Sequence, residues 1–343
     1  MSPRRRGTAA VALSVAAALA LAACGSADDG AAGKDGGNGS KAVAQGGKDF
    51  GKAGEQTAKM GTDAAPGQFP RTVTHALGKT EIKKRPERVV VLDVGELDNV
   101  VSLGLQPVGY APTEGSQELP DYLKKEAGSP KNVGTINSLN LEAINELRPD
   151  LILGSKLRAE KSYQDLAKIA PTVFSVRPGF TWKENYLLNA AALDKTAEAK
   201  KNLDAYQAKA RKLGEDLGEK KPTITMLRYM PQFTRLYAHQ SFIGTILKDA
   251  GLPRPANQAV DKLAVEISPE NIDKADADWI FTGVYGDPDK TKRDSARDNP
   301  LWKNLKAVQD GHAVDVKDET WYLGLGVTAA NSVLDDLRGF LVK

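Results

Sequence analysis

Residues 182–217 read WKENYLLNAAALDKTAEAKKNLDAYQAKARKLGEDL. The stretch has no proline, and its one glycine, Gly214, comes near the end; Pro178-Gly179 precede it, and Gly218 and Pro222 follow. Breakers outside and helix formers inside mark helix. Leu193-Asp194-Lys195-Thr196 interrupts the apolar pattern. From there Ala199, Leu203, Tyr206, Ala210, Leu213 and Leu217 recur at alternating steps of four and three, which keeps them on one face. The stretch therefore reads as two helices, one from Trp182 to about Leu193 and a spine from about Thr196 to Leu217. At about 1.5 Å per residue the spine is roughly 33 Å long, enough to cross from one lobe to another.

On either side of this connector lies a block of short apolar runs alternating with helical patterns, the signature of α/β units. Before it, residues 72–82 alternate around Gly78 as a hairpin, and Arg88-Val89-Val90-Val91-Leu92 reads as a buried parallel strand. Further strands are expected at Gln106–Tyr110, in Leu151-Ile152-Leu153 after a short helix from Asn140, and at Thr172–Val176. After it come strands at Thr223–Tyr229, Trp279–Thr282 and His312–Val316, with helices at Phe242–Ala250, Pro269–Lys274 and Val327–Leu341. The expected fold is α/β: two Rossmann-like lobes joined by a single long interdomain helix, with the ligand cleft between them.

The N-terminus is of another kind. Arg4-Arg5-Arg6 followed by an Ala/Val/Leu run to Leu21 has the form of a signal peptide, too short to span a bilayer. Residues 24–68 are rich in Gly, Ala, Lys and Asp, with almost no large apolar side chains, and cannot offset the entropy of ordering. The expected division is thus a signal peptide at 1–23, a disordered tether at 24–68, a first lobe at 69–193, the connecting helix at 194–220 and a second lobe at 221–343.

Lys+Arg number 47 against 44 Asp+Glu, and without Arg4, Arg5 and Arg6 the two balance, which argues against a nucleic-acid binder. Cys24 is the only cysteine and the three histidines, His75, His239 and His312, are far apart, so no motif for a metal site is present. There is also no Gly-x-Ser-x-Gly elbow, no His-Glu-x-x-His and no phosphate loop. A binding protein is the leading reading; a secreted hydrolase or an adhesion lipoprotein is the alternative.

Several segments together carry a resemblance: Thr74-His75-Ala76-Leu77-Gly78 with Pro86-Glu87-Arg88-Val89-Val90, Asn140-Leu141-Glu142 to Pro149-Asp150-Leu151-Ile152, Arg228 through Arg235-Leu236-Tyr237 to Ser241-Phe242, and Trp321-Tyr322-Leu323-Gly324. From Phe69 onward the chain resembles the iron-siderophore substrate-binding lipoproteins of ABC transporters, the class III solute-binding group, whose relatives bind haem and vitamin B12. Leu21-Ala22-Ala23-Cys24-Gly25 similarly resembles a lipobox. This implies that Cys24 is diacylated and anchors a monomer to the outer face of the bacterial cytoplasmic membrane. The resemblance further implies that Glu142 and Glu270, one per lobe, pair with arginines of the permease. Each stands at the start of a short helix, where a carboxylate is favoured without any partner.

A ferric siderophore fills the iron's coordination sphere with its own oxygens, so the receptor needs no metal ligand and no cofactor. It needs apolar and aromatic surface and a few donors. Residues at strand ends are the candidates: Tyr110, Ser155, Lys156 and Arg158 in the first lobe, and Arg228, Tyr229, Phe242, Tyr285, Trp321 and Tyr322 in the second. Arg228 is the leading donor. Trp321 matches the family's pocket tryptophan. Some hydroxamate receptors carry an arginine where this chain has Ile136. Aromatic bias and sparse basic residues lean toward a ferrioxamine-like hydroxamate, whereas a cluster of arginines and lysines would point to an anionic ferric citrate or catecholate.

Overall fold

The computed structural model describes residues 50–114 and 118–342; the signal peptide, Cys24 and most of the tether lie outside them. The first lobe opens with a hairpin, β1 (Arg71–His75) and β2 (Gly78–Ile82). Its sheet consists of β3 (Val89–Val91), β4 (Gly109–Tyr110), β5 (Lys131–Asn132), β6 (Leu151–Ser155) and β7 (Thr172–Ser175). In space these run β5-β4-β3-β6-β7, all parallel. Every residue of β3, β6 and β7 is buried, which is why these strands read as unbroken apolar or small runs.

The second sheet consists of β8 (Ile224–Tyr229), β9 (Thr234–Tyr237), β10 (Ala264–Ile267), β11 (Trp279–Val284) and β12 (Ala313–Asp315). Its order is β10-β9-β8-β11-β12, so each lobe places its third, second, first, fourth and fifth strands side by side. The lobes differ in one respect: β9 runs antiparallel to both neighbours. In both, strand order reverses beside the first strand, and a crevice opens there at the strands' carboxyl ends.

The helices that position the site are α1 (Ala53–Ala58), α2 (Val94–Ser102), α3 (Leu141–Glu146), α4 (Trp182–Leu193), α5 (Thr196–Asp216), α6 (Phe242–Asp249) and α7 (Val327–Leu341). The connector breaks where the apolar pattern breaks. Asp194 takes a left-handed conformation, φ 59°, and its carboxylate accepts from the Gly67 amide at 2.9 Å and from Arg71 Nη2 at 2.5 Å, with Arg85 as a third partner. Asp tolerates that conformation better than most residues because its short side chain can bond locally.

Helix α4 packs on α2, while α5 packs on α4 at one end and α6 at the other, with α7 alongside. Ala199, Tyr206, Ala210 and Leu213 form the buried face of α5, as their spacing predicts. Gly214 is needed there, because a Cβ would stand 2.4 Å from the Ala250 carbonyl oxygen that ends α6. Trp182 fixes the α4–α6 contact, meeting the Tyr206 ring edge-on at 5.0 Å and donating from Nε1 to Thr245 Oγ1 at 2.8 Å.

Order begins earlier than the composition of 24–68 indicates. Phe50–Lys52 forms a turn of 3-10 helix, α1 follows, and Ala53 and Thr57 are fully buried against the first lobe. Gly61 then pairs with Thr74 through backbone bonds in both directions, at 2.9 and 2.7 Å. A few apolar atoms at helical spacing, docked on a prebuilt surface, suffice where the segment alone could not fold.

Candidate functional site

The crevices of the two sheets face one cavity of about 300 Å³. Four arginines line it: Arg158 and Arg177 from the first lobe, Arg228 and Arg235 from the second. Between them lies apolar and aromatic surface, chiefly Ile136, Phe233, Phe242, Tyr285, Trp321 and Leu325.

Each lobe sets an arginine against an aspartate at the point where its strand order reverses. In the first, Asp93 follows β3 and caps α2, accepting from the Val94 amide at 2.8 Å, and Arg158 follows β6 and donates from Nε to Asp93 Oδ2 at 3.0 Å. In the second, Arg228 on β8 donates from Nε to Asp318 Oδ1 at 2.6 Å and from Nη2 to Oδ2. Burial works against charge on Arg228, but Asp318 overcomes this and holds its pKa above the ordinary value. Tyr285 lies under the same guanidinium, 4.8 Å from Cζ to the ring centroid. Gly283, beside Arg228 on β11, leaves room for this arrangement: a Cβ there would stand 2.5 Å from the Tyr322 ring and 2.8 Å from Asp318.

Arg235 donates to Glu266 at 3.0 and 3.1 Å and covers the Phe233 ring. Arg177 lies over a pair of touching rings, with Cζ 4.1 Å from the Phe50 centroid and 5.5 Å from that of Phe180. Burial, then the like charge of Arg158, lowers its pKa to about 10. Behind Arg158, burial pushes the Glu96 carboxyl up to about 8, reinforced by the Asp93 charge.

Of the ten sequence candidates, Arg158, Arg228, Phe242, Tyr285, Trp321 and Tyr322 line the cavity. Tyr322 is fixed by its hydroxyl, which lies 2.9 and 2.8 Å from the Leu227 and Phe281 carbonyl oxygens, and Trp321 by Nε1 donating to Asp336 at 2.9 Å. Four do not line it. Successive side chains of a strand leave on opposite faces, so with Arg228 toward the cleft Tyr229 goes into the second lobe's core, where its hydroxyl accepts from Arg297 at 3.2 Å. Tyr110 is buried in the first lobe's core, and Ser155 is buried at the end of its strand. Lys156 faces a separate cavity of about 650 Å³ beneath α1.

Sequence reading missed Arg177, although it follows β7 as Arg158 follows β6 and the strand-end rule reaches it. Arg235 gave no such signal, since it lies within β9, a strand the pattern did not show. The histidines sit apart: His75 is buried under Tyr163 with its pKa lowered to about 4 by burial, His239 faces Asp261, and His312 stacks on Trp279 at 4.1 Å. Among the described residues no group of three or more His, Cys, Asp or Glu is placed to hold a metal ion. Glu142 is exposed in the first turn of α3, where Asn140 caps the helix by accepting from the Ala143 amide at 3.0 Å. Glu270 is exposed at the start of the 3-10 helix Pro269–Ala275, and the Ser268 hydroxyl holds its carboxyl below the usual range.

The family profile described as periplasmic binding protein matches residues 89–320. The chain belongs to that family. It is 36% identical over 292 residues to the "Probable siderophore-binding lipoprotein YfiY" of Bacillus subtilis (strain 168), covering 80% of this chain and 88% of that one. It is 33% identical over 275 residues to the Fe(3+)-citrate-binding protein YfmC of the same strain, covering 78% and 84%. Among solved structures, Staphylococcus aureus SirA complexed with staphyloferrin B superposes with a TM-score of 0.71 at 34% identity, over 79% of this chain and 98% of that one. As a family member the chain is a solute-binding protein of the two-lobed type.

Proposed function

We propose that this protein captures an anionic ferric chelate, a carboxylate-bearing siderophore or ferric citrate, outside the cell and delivers it to an ABC permease. The observation that carries the reading is the convergence of Arg158, Arg177, Arg228 and Arg235 on one apolar, aromatic-walled cavity. The aromatic surface suits the body of a chelator. A guanidinium fork has five donors, so an arginine holding one carboxylate can still donate to another. The relative named for Fe(3+)-citrate binding supports the same chemistry. The ferrioxamine-like expectation rested on sparse basic residues, and the folded chain gathers four arginines from distant segments. It becomes the second reading, favoured by Asp93, Asp318 and Glu266, whose carboxylates pair with Arg158, Arg228 and Arg235.

Around this function we propose the remaining assignments. Residues 1–23 direct export, Cys24 carries the lipid anchor, the following residues to about 49 form the tether, and Glu142 and Glu270 dock the loaded monomer on the two permease subunits. The iron arrives and leaves inside its chelator.

Titration of the purified protein with a ferric chelate panel, followed by Trp and Tyr fluorescence, tests the proposal. Ferric citrate-type chelates are expected to bind tighter than ferrioxamine and to weaken with salt. Tighter, salt-independent binding of ferrioxamine selects the second reading, and no response to any ferric chelate removes both.

A further inference from the structure

Arg177 belongs to two cavities at once. It lines the cleft between the lobes, and it also lines the 650 Å³ space walled by Phe50, Gln56, Lys59 and Met60 on one side and by His75 and Lys156 on the other. Arg177 thus stands at a boundary the two cavities share. Two rings stack against it there: Phe50 and Phe180 meet edge-on at 5.1 Å, with Arg177 Cζ over both. On the cleft side, Nε donates to the Pro178 carbonyl at 3.3 Å.

Phe50 comes from a segment that its composition assigns to the tether, yet that segment is fastened at several points. Ala53 and Thr57 are buried, α1 packs on α4, a Cβ on Gly54 would lie 3.9 Å from the Phe180 ring, and Gly61 is bonded to Thr74. It also reaches the other lobe, since a Cβ on Gly51 would lie 3.8 Å from Gln240 Nε2. A strap so fastened keeps the Phe50 ring in place without help from the ligand. An arginine side chain is rich in rotamers, so one fixed in advance by stacking loses less freedom when an anion arrives. Arg158, close enough to depress the Arg177 pKa, supplies a second positive group on the cleft side.

We propose that Phe50 is a positioning residue of the ligand site: it fixes the Arg177 guanidinium at the boundary the two cavities share, making the strap from Phe50 to Met60 part of the recognition apparatus. The inference rests on the reading that the cleft takes an anionic ferric chelate. With Phe50 gone, the Arg177 guanidinium loses the nearer of its two rings, and the donor it offers the cleft is less firmly fixed.

The test compares the full chain with Phe50→Ala and Phe50→Tyr, using ferric citrate and ferrioxamine as probes and phenylglyoxal labelling of Arg177, read by mass spectrometry, as a measure that needs no chelate. Phe50→Ala is expected to weaken ferric citrate roughly tenfold, leave ferrioxamine within about twofold and raise Arg177 labelling several-fold; Phe50→Tyr, which keeps the ring, restores all three. Equal losses for both chelates would mean general damage and overturn the proposal, as would unchanged Arg177 labelling. If the unmodified protein binds neither chelate, the parent reading and the selectivity claim fall together, and the labelling still decides whether Phe50 sets Arg177.

Discussion

Arg158 and Asp93, 65 residues apart in sequence, meet at 3.0 Å across the point where strand order reverses in the first sheet. The second lobe repeats the device with the partners exchanged, the arginine on the strand and Asp318 beyond it. A guanidinium alone at such a point would be costly to bury, and an aspartate partner offsets that cost and orients it.

Replacing Arg228 separates its two roles. Arg228→Ala is expected to weaken an anionic ferric chelate by about 10–100-fold, since charge-assisted hydrogen bonds contribute about 1.5–3 kcal/mol. It also leaves Asp318, whose carboxyl burial already pushes up, without its partner. A carboxyl raised in the folded state stabilises below its ordinary pKa and loses that contribution as pH rises. The stability deficit of Arg228→Ala should therefore shrink between pH 7 and pH 5 in urea unfolding, and a deficit independent of pH would show that the pair is not coupled. Arg228→Lys should fall between, because a point charge cannot span both oxygens of Asp318.

Glu96 makes a second pH prediction. The groups facing it are Asp93, Arg158 and Tyr110, and burial followed by the Asp93 charge sets its carboxyl near pH 8. Its folded pKa lies above the unfolded one, so its stabilising contribution is complete below about pH 4.5 and is lost as pH rises through about 8. Glu96→Gln mimics the protonated form and removes the loss. It is expected to match the unmodified chain at pH 5 and exceed it at pH 8.5 by about 1–3 kcal/mol in urea unfolding. Parallel pH profiles would sink the assignment.

The connector was legible almost to the residue, because Asp194 interrupts one helical stripe and the four-three spacing starts another. The apolar runs of β3, β6, β8 and β11 were equally plain. What failed were features with no local signal. β9 and β10 are short and mixed in character, and so passed unrecognised, and with β9 went Arg235. Tyr229 shares a strand end with Arg228, but the alternation of the strand sends the two side chains to opposite faces, and only Arg228 meets the cleft. The strap at Phe50–Met60 is ordered by the surface it docks on, and composition speaks only of what a segment does alone.

For Glu142 and Glu270, exposure at helix starts in opposite lobes fits docking, and binding and delivery should separate. Glu142→Lys and Glu270→Lys are each expected to reduce iron uptake roughly tenfold or more, with ferric chelate affinity within about twofold of the unmodified protein, since a lost charge pair at an interface costs about 2–5 kcal/mol. Uptake assays in cells, paired with titration of the purified variants, check this. Lost binding would place these residues in the ligand site instead.

The lobes are joined by more than the spine. Asp98 on α2 of the first lobe accepts from the Thr328 and Ala329 amides at the start of α7, both at 3.0 Å, and Tyr122 donates to the Gly324 carbonyl at 3.1 Å. Gly326 is what lets α7 come so close, since a Cβ there would stand 2.3 Å from Asp98 Cγ. Burial pushes the Asp98 carboxyl up to about 6 against these donors, so the anion is held at a cost that grows above that pH. Asp98→Ala strands the buried Ala329 amide, worth about 1–3 kcal/mol unsatisfied, and the half-buried Thr328 amide beside it. With the pin intact and a single helix resisting bending, small-angle scattering of the unmodified protein should change little on adding ferric chelate. Asp98→Ala should broaden the distance distribution of the unliganded protein and narrow it again on binding. A large change in the unmodified protein, or none in the variant, would show that Asp98 does not set the angle between the lobes.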